Sequence, residues 1–426
     1  MHLSIENVRC FSVKQHVEIR PLTLLVGENS SGKSTFLSIL HAAVQVEFPN
    51  IPKIFNQSPF EMGGFDTIAT YKGGKYGRAE SFSVGLEWSR MRNKFSHSIL
   101  VKFENNRGMP SVRDLEVTMN NVAVKAKSVD NEIHLQIIEH LDNKVMRKFS
   151  TSFPYKGNFS DDLPFPFFIR RAIIDFEHTD FDNEFRQKAQ DAVRYGFQEK
   201  LRSFSMSPLR TEPKRTYDES SDLDFTPGGD HIPRVLSQLD FENETEKEVI
   251  FKALNEFGRS AGLYESIKVK HHGKRPSDPF QVSVVTQGPA ANLVDVGYGV
   301  SQALPILVEV LKGEKNQQFI LQQPEVHLHP RAQAALGTFF AEAVSSQRKR
   351  FVIETHSDYL IDRIRYEVAS GKLKPEDVRI LFFDRPSFDV KIWELSLDSE
   401  GNILNAPQSY RSFFLDEEIR LMTRGG

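Results

Sequence analysis

The stretch Leu22-Thr-Leu-Leu-Val-Gly27-Glu-Asn-Ser-Ser-Gly32-Lys-Ser-Thr35 decides how this 426-residue sequence is read. A continuous apolar run closing on a glycine is the mark of a strand buried on both faces. Ser34 to Val46, after the loop, reads as a helix. Between strand and helix, successive backbone N–H groups turn into one concavity, where the helix dipole also favours anions. Gly27 and Gly32 permit the tight backbone path, Lys33 reaches terminal phosphates, and the Ser34 hydroxyl is a magnesium ligand. The expected ligand of this loop is ATP with magnesium.

Working outward, Leu3, Ile5 and Val8 alternate with polar neighbours, as in an edge strand. From about residue 79 the apolar period is two. Phe82–Trp88, Ser98–Phe103, Leu115–Met119, Val122–Ala126 and Ile133–Ile137 read as strands of an antiparallel meander, separated by Asn, Gly and Pro turns. Around 168–205 the pattern turns helical, with a core stripe of Phe181, Phe185, Ala189, Val193, Phe197 and Leu201. Residues 241–262 read as another helix. Turn formers crowd residues 207–233, and a basic loop is expected at Lys268–Arg275; both stretches are expected to be mobile or partner-facing. After residue 280 the buried runs Phe319–Leu321, Phe351–Ile353 and Arg379–Phe383 return, two of them followed by a polar turn and a helix. A parallel sheet split by a long insertion is the economical architecture, so the fold class is α/β.

Composition narrows the function classes. With 39% hydrophobic and 26% charged residues the chain belongs with soluble globular proteins. Net charge is 54 − 57 = −3, so any nucleic-acid contact comes from a local patch. Cys10 is the only cysteine, which excludes internal disulfides and cysteine zinc sites and fits a reducing cytosol. Met1–Glu6 lacks the features of a signal peptide, and no apolar run is long enough to span a bilayer. The expectation is a cytoplasmic protein with no membrane partner.

Three later segments gain meaning once the phosphate loop is granted. Asp295-Val-Gly297-Tyr-Gly299-Val-Ser301-Gln302 is a glycine-rich turn entering a helix; by itself it reads equally as a cap or a second anion site. Phe319-Ile-Leu-Gln322-Gln323-Pro-Glu325-Val-His327-Leu-His329-Pro330 is a buried strand ending where a magnesium ligand and a water-activating group would sit. Phe351-Val-Ile-Glu354-Thr-His356-Ser357 puts a histidine just past a strand's C-terminal end, where ligands of open α/β sheets bind.

These motifs, with the opening Ile5-Glu-Asn-Val-Arg-Cys-Phe11, resemble those of ABC-type ATPases. The likeness is greatest to the RecF, SMC and OLD (overcoming lysogenization defect) proteins, and especially to the compact ATPases of bacterial anti-phage systems. Ser207-Pro-Leu-Arg-Thr-Glu-Pro213 and Ser412-Phe-Phe-Leu-Asp-Glu417 resemble the same subgroup. The resemblance implies an ABC-type P-loop NTPase head in four parts. Residues 1–78 would be its N-terminal part with the P-loop, 79–165 an antiparallel β subdomain, 166–280 a helical and loop insertion, and 281–426 the C-terminal part of the head. It also implies roles. Gly27, Asn29, Ser30, Ser31, Gly32, Lys33, Ser34 and Thr35 would hold the phosphates. Gly297, Gly299, Ser301 and Gln302 would form the signature loop that completes the site of the opposite protomer in a head-to-tail homodimer or higher oligomer. Gln322 would stand at the metal-binding Walker B position, Gln323 at the catalytic-base position, and His356 would be the switch that senses the γ-phosphate. His327-Leu-His329 would lie at the dimer interface.

Two departures from the family pattern matter. Gly297 stands where a serine usually precedes the central glycine, with Ser301 as a substitute donor. Gln322-Gln323 replaces two acids: a glutamine carbonyl can ligate magnesium but carries no charge, and glutamine cannot accept a proton, though it can orient a water as the Gln of Ras does. Glu325 or Glu354 supplying the missing carboxylate, or Gln322 being an engineered Glu→Gln change, are the accounts left open. ATP binding is therefore expected, with hydrolysis slow or absent. No Cys-x-x-Cys hook or long heptad run supports SMC-like arms, and 70 residues after His356 are too few for the Toprim nuclease domain of OLD proteins. Asp398-Ser-Glu400-Gly401 reads as a hairpin turn rather than a metal site. The expected function is an ATP-driven sensor and scaffold controlling a separate nuclease effector chain in anti-phage defence. The alternative is a RecF-like DNA-binding ATPase of repair or recombination, touching phosphates through Lys268, Lys270, Lys274, Arg275 and the Arg210/Lys214/Arg215 cluster.

Overall fold

A computed structural model describes residues 1–45, 53–90, 95–130, 132–141, 144–154, 173, 182–198, 203–218, 225–242, 244–275 and 277–410. The chain divides into two units: Met1–Ile19, Glu28–Arg202 and Phe383–Trp393 form one, and Arg20–Gly27, Ser203–Phe382 and Glu394–Gly426 the other.

An eight-stranded antiparallel sheet forms the frame of the first unit. Its order is β11 (Lys144–Pro154), β10 (Glu132–Leu141), β9 (Val122–Val129), β8 (Met109–Met119), β7 (Phe95–Asn106), β6 (Ser81–Arg90), β1 (His2–Glu6), β2 (Gln15–Glu18). The five alternating segments of the sequence are thus β6 to β10, adjacent in chain order. β11 extends the meander beyond these five, with a pattern, Lys-Val-Met-Arg-Lys-Phe, that carries little alternation. Register sets Phe82 opposite Phe103 and Val84 opposite Val101. Phe55 and Phe65 close over this pair, Phe55 at 5.2 Å from Phe103 and Phe65 at 5.6 Å from Phe82. A two-stranded hairpin, β4 (Asn56–Gln57) and β5 (Phe60–Glu61), and the short α2 (Phe65–Ile68) complete this end. α3 (Asn183–Gln198) lies against β7, β8 and β9 through Phe185, Ala189 and Val193, half of the expected stripe. Phe181, the Phe197 side chain and Leu201 fall outside the described residues. α1 (Lys33–Val44) buries all but one of its residues, with Phe36 edge-on to Phe383 at 5.5 Å.

One expectation is corrected here. β1 is not an edge strand: His2 pairs with Glu18 of β2 on one side and Glu87 of β6 on the other. Period-two alternation reports which face is buried, and Leu3 and Ile5 are buried, but it is silent on neighbours in the plane of the sheet.

His41 in α1 and His97 in β7 are enclosed, 5% and 3% exposed, and burial pushes both imidazoles down to about 4. A histidine that titrates near 6.5 when unfolded then costs no stability above pH 6.5 and progressively destabilises the fold as pH falls from 6.5 towards 4. At pH 5 each should remove roughly 1–2 kcal/mol. The urea midpoint is expected to drop between pH 7.5 and pH 5, and to drop less in His41→Gln/His97→Gln. An equal drop in that variant would assign the effect to other groups.

The second unit carries a seven-stranded sheet in the order β12 (Ser203–Met206), β16 (Gln318–Gln322), β17 (Arg350–Glu354), β3 (Leu22–Gly27), β18 (Val378–Asp384), β19 (Lys391–Leu397), β20 (Ile403–Leu404). β12, β16, β17 and β3 are mutually parallel, and every residue of β3 is buried. The N-terminal strand β3 thus sits among strands from the C-terminal half, as an architecture with a long insertion requires. β19 and β20 are antiparallel around a hairpin turn at Asp398, whose carboxylate accepts the Glu400 and Asn402 N–H groups at 2.9 and 2.8 Å.

Among the described residues five α-helices belong to this unit: α4 (Ile232–Glu242), α5 (Glu244–Ala261), α6 (Tyr298–Lys312), α7 (Pro330–Gln347) and α8 (Asp358–Ala369). Gly337 lets α7 and α8 approach closely, since a Cβ there would lie 2.9 Å from Arg363 Cβ. Lys349 is buried with its ammonium on the last carbonyls of α6, Val310 and Leu311, and burial lowers its pKa to about 8. A three-stranded antiparallel sheet, β13 (Ser266–His271), β14 (Phe280–Val285) and β15 (Ala291–Asn292), corrects a second expectation. The basic stretch from Lys268 is not all loop, because Lys268 and Lys270 lie on β13, where Ile267 supplies the buried face. Among the described residues no helix is long and apolar enough to cross a membrane.

Candidate nucleotide site

In the first unit the phosphate-loop sequence folds into a turn that feeds α1. β3 ends at Gly27, Ser30 and Gly32 take positive φ angles of 61° and 99°, and Gly32 is the N-cap of α1. Gly32 is required twice over: its φ disfavours any side chain, and a Cβ would meet Cys10 Sγ at 2.8 Å and Phe11 Cζ at 3.1 Å. The opening motif Arg9-Cys10-Phe11 is therefore the wall behind the loop. No side chain caps α1 and its first turn holds no acidic residue, so its N-terminus keeps a positive end.

Lys33 is 3% exposed and its ammonium donates to the Glu28 carbonyl at 2.6 Å, inside the curl of its own loop. From outside, Arg385 donates to the Ser30 carbonyl at 2.8 Å. Arg9 holds the next shell, bonding the carbonyls of Thr67 and Met62 and reaching Thr35 Oγ1 at 3.5 Å. Asn29, Ser30 and Ser34 are exposed, Ser31 and Thr35 buried. Ser31 Oγ is enclosed without a hydrogen-bond partner among the described residues. An uncapped helix end, a glycine cradle, a lysine and an orphaned hydroxyl fit a chain of phosphates.

In the second unit the C-terminal ends of three parallel strands lie side by side: Gln322 is in register with Glu354, and Glu354 with Leu25. The turns beyond them are laced to one another. Gln323 (φ 43°) donates its N–H to the Glu354 carbonyl at 2.8 Å, and Thr355 donates to the Leu25 carbonyl at 3.1 Å. The His356 N–H is taken by Glu325 Oε1 at 2.7 Å. Ser357 caps α8 and donates its hydroxyl to Gln333 at 2.6 Å. Gln322 and Gln323 are half-buried, His356 is exposed, and Glu325 and Glu354 are buried.

The turn at Gly297–Gln302 starts α6, with Gly297 as its N-cap and no side-chain cap. Gly299 lets this start approach the 327–328 turn, where a Cβ would meet the His327 carbonyl at 3.2 Å. Tyr298 stands over His327 with ring centres 5.8 Å apart and donates its hydroxyl to Glu212 at 3.1 Å. Ser301 and Gln302 are buried, and the Ser301 hydroxyl donates to the Tyr298 carbonyl at 3.0 Å. The Arg210/Lys214/Arg215 cluster is not an open cationic patch. Arg210 is buried, and Arg215 grips Asp295 with two bonds of 2.9 and 2.6 Å. Clustered positive residues in a sequence do not reveal that their counter-charges arrive from 80 or more residues away.

Residues 88–361 match the protein family described as AAA ATPase domain, a span that contains Gly297–Gln302, Gln322, Gln323 and His356 and begins after the phosphate loop. Among curated proteins the chain is similar to an OLD nuclease of Thermus scotoductus, 22% identical over 394 residues. The match covers 89% of this chain and 63% of that protein, so the chain spans less than two thirds of the relative's length. Among solved structures it is similar to the SMC head domain from Thermotoga maritima, at TM-score 0.42 and 10% identity over 92% of this chain and 97% of that one. It is also similar to an Smc head domain with an extended coiled coil bound to the C-terminal domain of ScpA, derived from Pyrococcus furiosus. Here the TM-score is 0.43 and identity 12%, over 98% of each chain.

Proposed function

We propose, for a chain that belongs to the AAA ATPase domain family, that ATP and magnesium switch it between a single copy and a head-to-tail homodimer that controls a partner nuclease in anti-phage defence. The observation that carries the nucleotide part is the uncapped N-terminus of α1, with Lys33 buried in its loop and Ser31 Oγ unpartnered among the described residues. In this reading bound ATP supplies a phosphoanhydride open to attack by water, with magnesium offsetting the phosphate charge. The backbone of Gly27–Thr35 holds the phosphates, Lys33 adds a charge, and the Ser34 hydroxyl and Gln322 amide oxygen serve as neutral magnesium ligands. Gln323 orients the attacking water and His356 senses the γ-phosphate. Gly297 and Gly299 act in trans on the second copy's nucleotide through backbone N–H groups, while Ser301 and Gln302 support the turn from within. Similarity to a protein named OLD nuclease supports a place in a nucleic-acid-cutting system.

The mass of the chain in solution tests the switch. Light scattering should show one copy with ADP and magnesium and two with ATP and magnesium. A mass unmoved by bound ATP would remove the dimer from the proposal. One observation favours the second reading, a DNA-gripping ATPase: Lys268, Lys270, Lys274 and Arg275 are all exposed. DNA affinity that falls steeply with salt and is lost on replacing these four by alanine would establish it.

A further inference from the structure

Glu325 and Arg210 are both only 7% exposed, an unusual place for two charged side chains. Their partners show what holds them there. Glu325 Oε1 accepts the main-chain N–H of His356 at 2.7 Å, and Arg210 donates to the main-chain carbonyl of Gln323 at 3.4 Å. Burial pushes the Glu325 carboxyl up, while the His356 N–H and the charge of Arg210 pull it down. Glu325 Oε2 and two guanidinium nitrogens of Arg210 have no hydrogen-bond partner among the described residues. Arg210 is therefore not kept inside by a hydrogen-bond network of its own. It is tied to the turn through the Gln323 carbonyl, and its charge acts on the Glu325 carboxyl. Glu325 itself sits in a tight turn, with Val326 N–H on the Gln323 carbonyl and Leu328 N–H on its own carbonyl.

We propose that Glu325, backed by Arg210, is the positioning residue that fixes the main chain at His356 and thereby lets the chain distinguish ATP from ADP. This rests on the reading of His356 as the γ-phosphate sensor. The carboxylate acts on the peptide N–H of residue 356 rather than on its ring, so it sets where the imidazole stands without touching nucleotide. The Arg210 segment extends the same tie: Glu212 meets Tyr298, Arg215 meets Asp295, and the Arg215 carbonyl takes Asn292 Nδ2 at 2.8 Å. One short stretch, 210–215, thus touches both the turns at the strand ends and the turn that starts α6. The His356 N–H occupies only Oε1 of the Glu325 carboxylate, and it is this bond that gives Glu325 its hold on the turn.

Competition titrations of ATP and ADP against a fluorescent nucleotide, with magnesium, test this in the full chain. Glu325→Ala should lose about tenfold of the preference for ATP while ADP affinity stays within about twofold. Glu325→Gln keeps an amide oxygen for the His356 N–H and should retain the preference. His356→Ala should match Glu325→Ala, and combining the two should add nothing. Should Glu325→Ala fail to fold because Arg210 is stranded, Glu325→Met/Arg210→Met removes both charges and the acceptor together and should lose the preference alike. An ATP-to-ADP ratio unmoved in these variants, or equal weakening for both nucleotides, overturns the assignment. A wild-type chain that binds neither nucleotide overturns the ATP reading itself.

Discussion

Replacing Lys33 with alanine is expected to weaken ATP–magnesium binding by about 100-fold or more, a loss of roughly 2.7 kcal/mol. The side chain is confined by its own loop, with the ammonium 2.6 Å from the Glu28 carbonyl and only 3% of the residue exposed. Such a pre-placed cation has little rotamer freedom left to lose when phosphates arrive, so most of its charge-assisted hydrogen bonding appears as affinity. The helix end cannot make up the loss, because its N–H groups are already counted in the wild-type affinity. The measurement is an equilibrium titration with a fluorescent ATP analogue, beside a thermal melt showing that the variant remains folded. Undiminished binding in a folded Lys33→Ala chain would sink the phosphate-loop reading.

The second large effect is a gain. Gln322→Glu should raise the steady-state rate of ATP turnover by about tenfold or more, equivalent to at least about 1.4 kcal/mol off the barrier. Gln322 closes β16 and is half-buried, so a carboxylate there keeps contact with solvent and escapes the full cost of burying a charge. Opposite charges about 4 Å apart attract by roughly 4 kcal/mol at a near-surface dielectric, ample to tighten magnesium. The neighbouring Gln323→Glu tests the proton-accepting position separately. An unchanged rate in Gln322→Glu would show that another residue holds the metal.

How much of this was legible in the sequence follows from what each pattern reports. β3, β16, β17 and β18 could be read because both faces of each are covered, which leaves continuous apolar runs with sharp ends. The strand–turn–helix form at Gly27–Ser34 was legible because a buried run ends there on glycines that the tight turn requires, before a helical pattern. The role of Cys10 and Phe11 as the wall behind Gly32 was not, since nothing in residues 5–11 announces a contact some 20 positions later. Arg210 is hidden for a related reason: a cation beside Lys214 and Arg215 looks solvated in the sequence, yet it is buried on the Gln323 carbonyl, 113 residues away. The placement of β1 between two strands needed the partners, not the pattern.

The position of β3 has a consequence for synthesis. Residues 22–25 lie beside 351–354 in the finished sheet. At about 5–20 residues per second, roughly 15–65 seconds separate the emergence of these two segments from the ribosome. For that interval a mostly apolar strand, Thr23 apart, has no partner on either edge, the condition in which strands pair with the wrong chain. The earlier-made meander β6–β11 closes on itself through hairpins and needs no such delay. The nascent chain is thus most exposed to misassembly while β3 waits, and holdase chaperones that cover residues 22–27 have the most to contribute in that window.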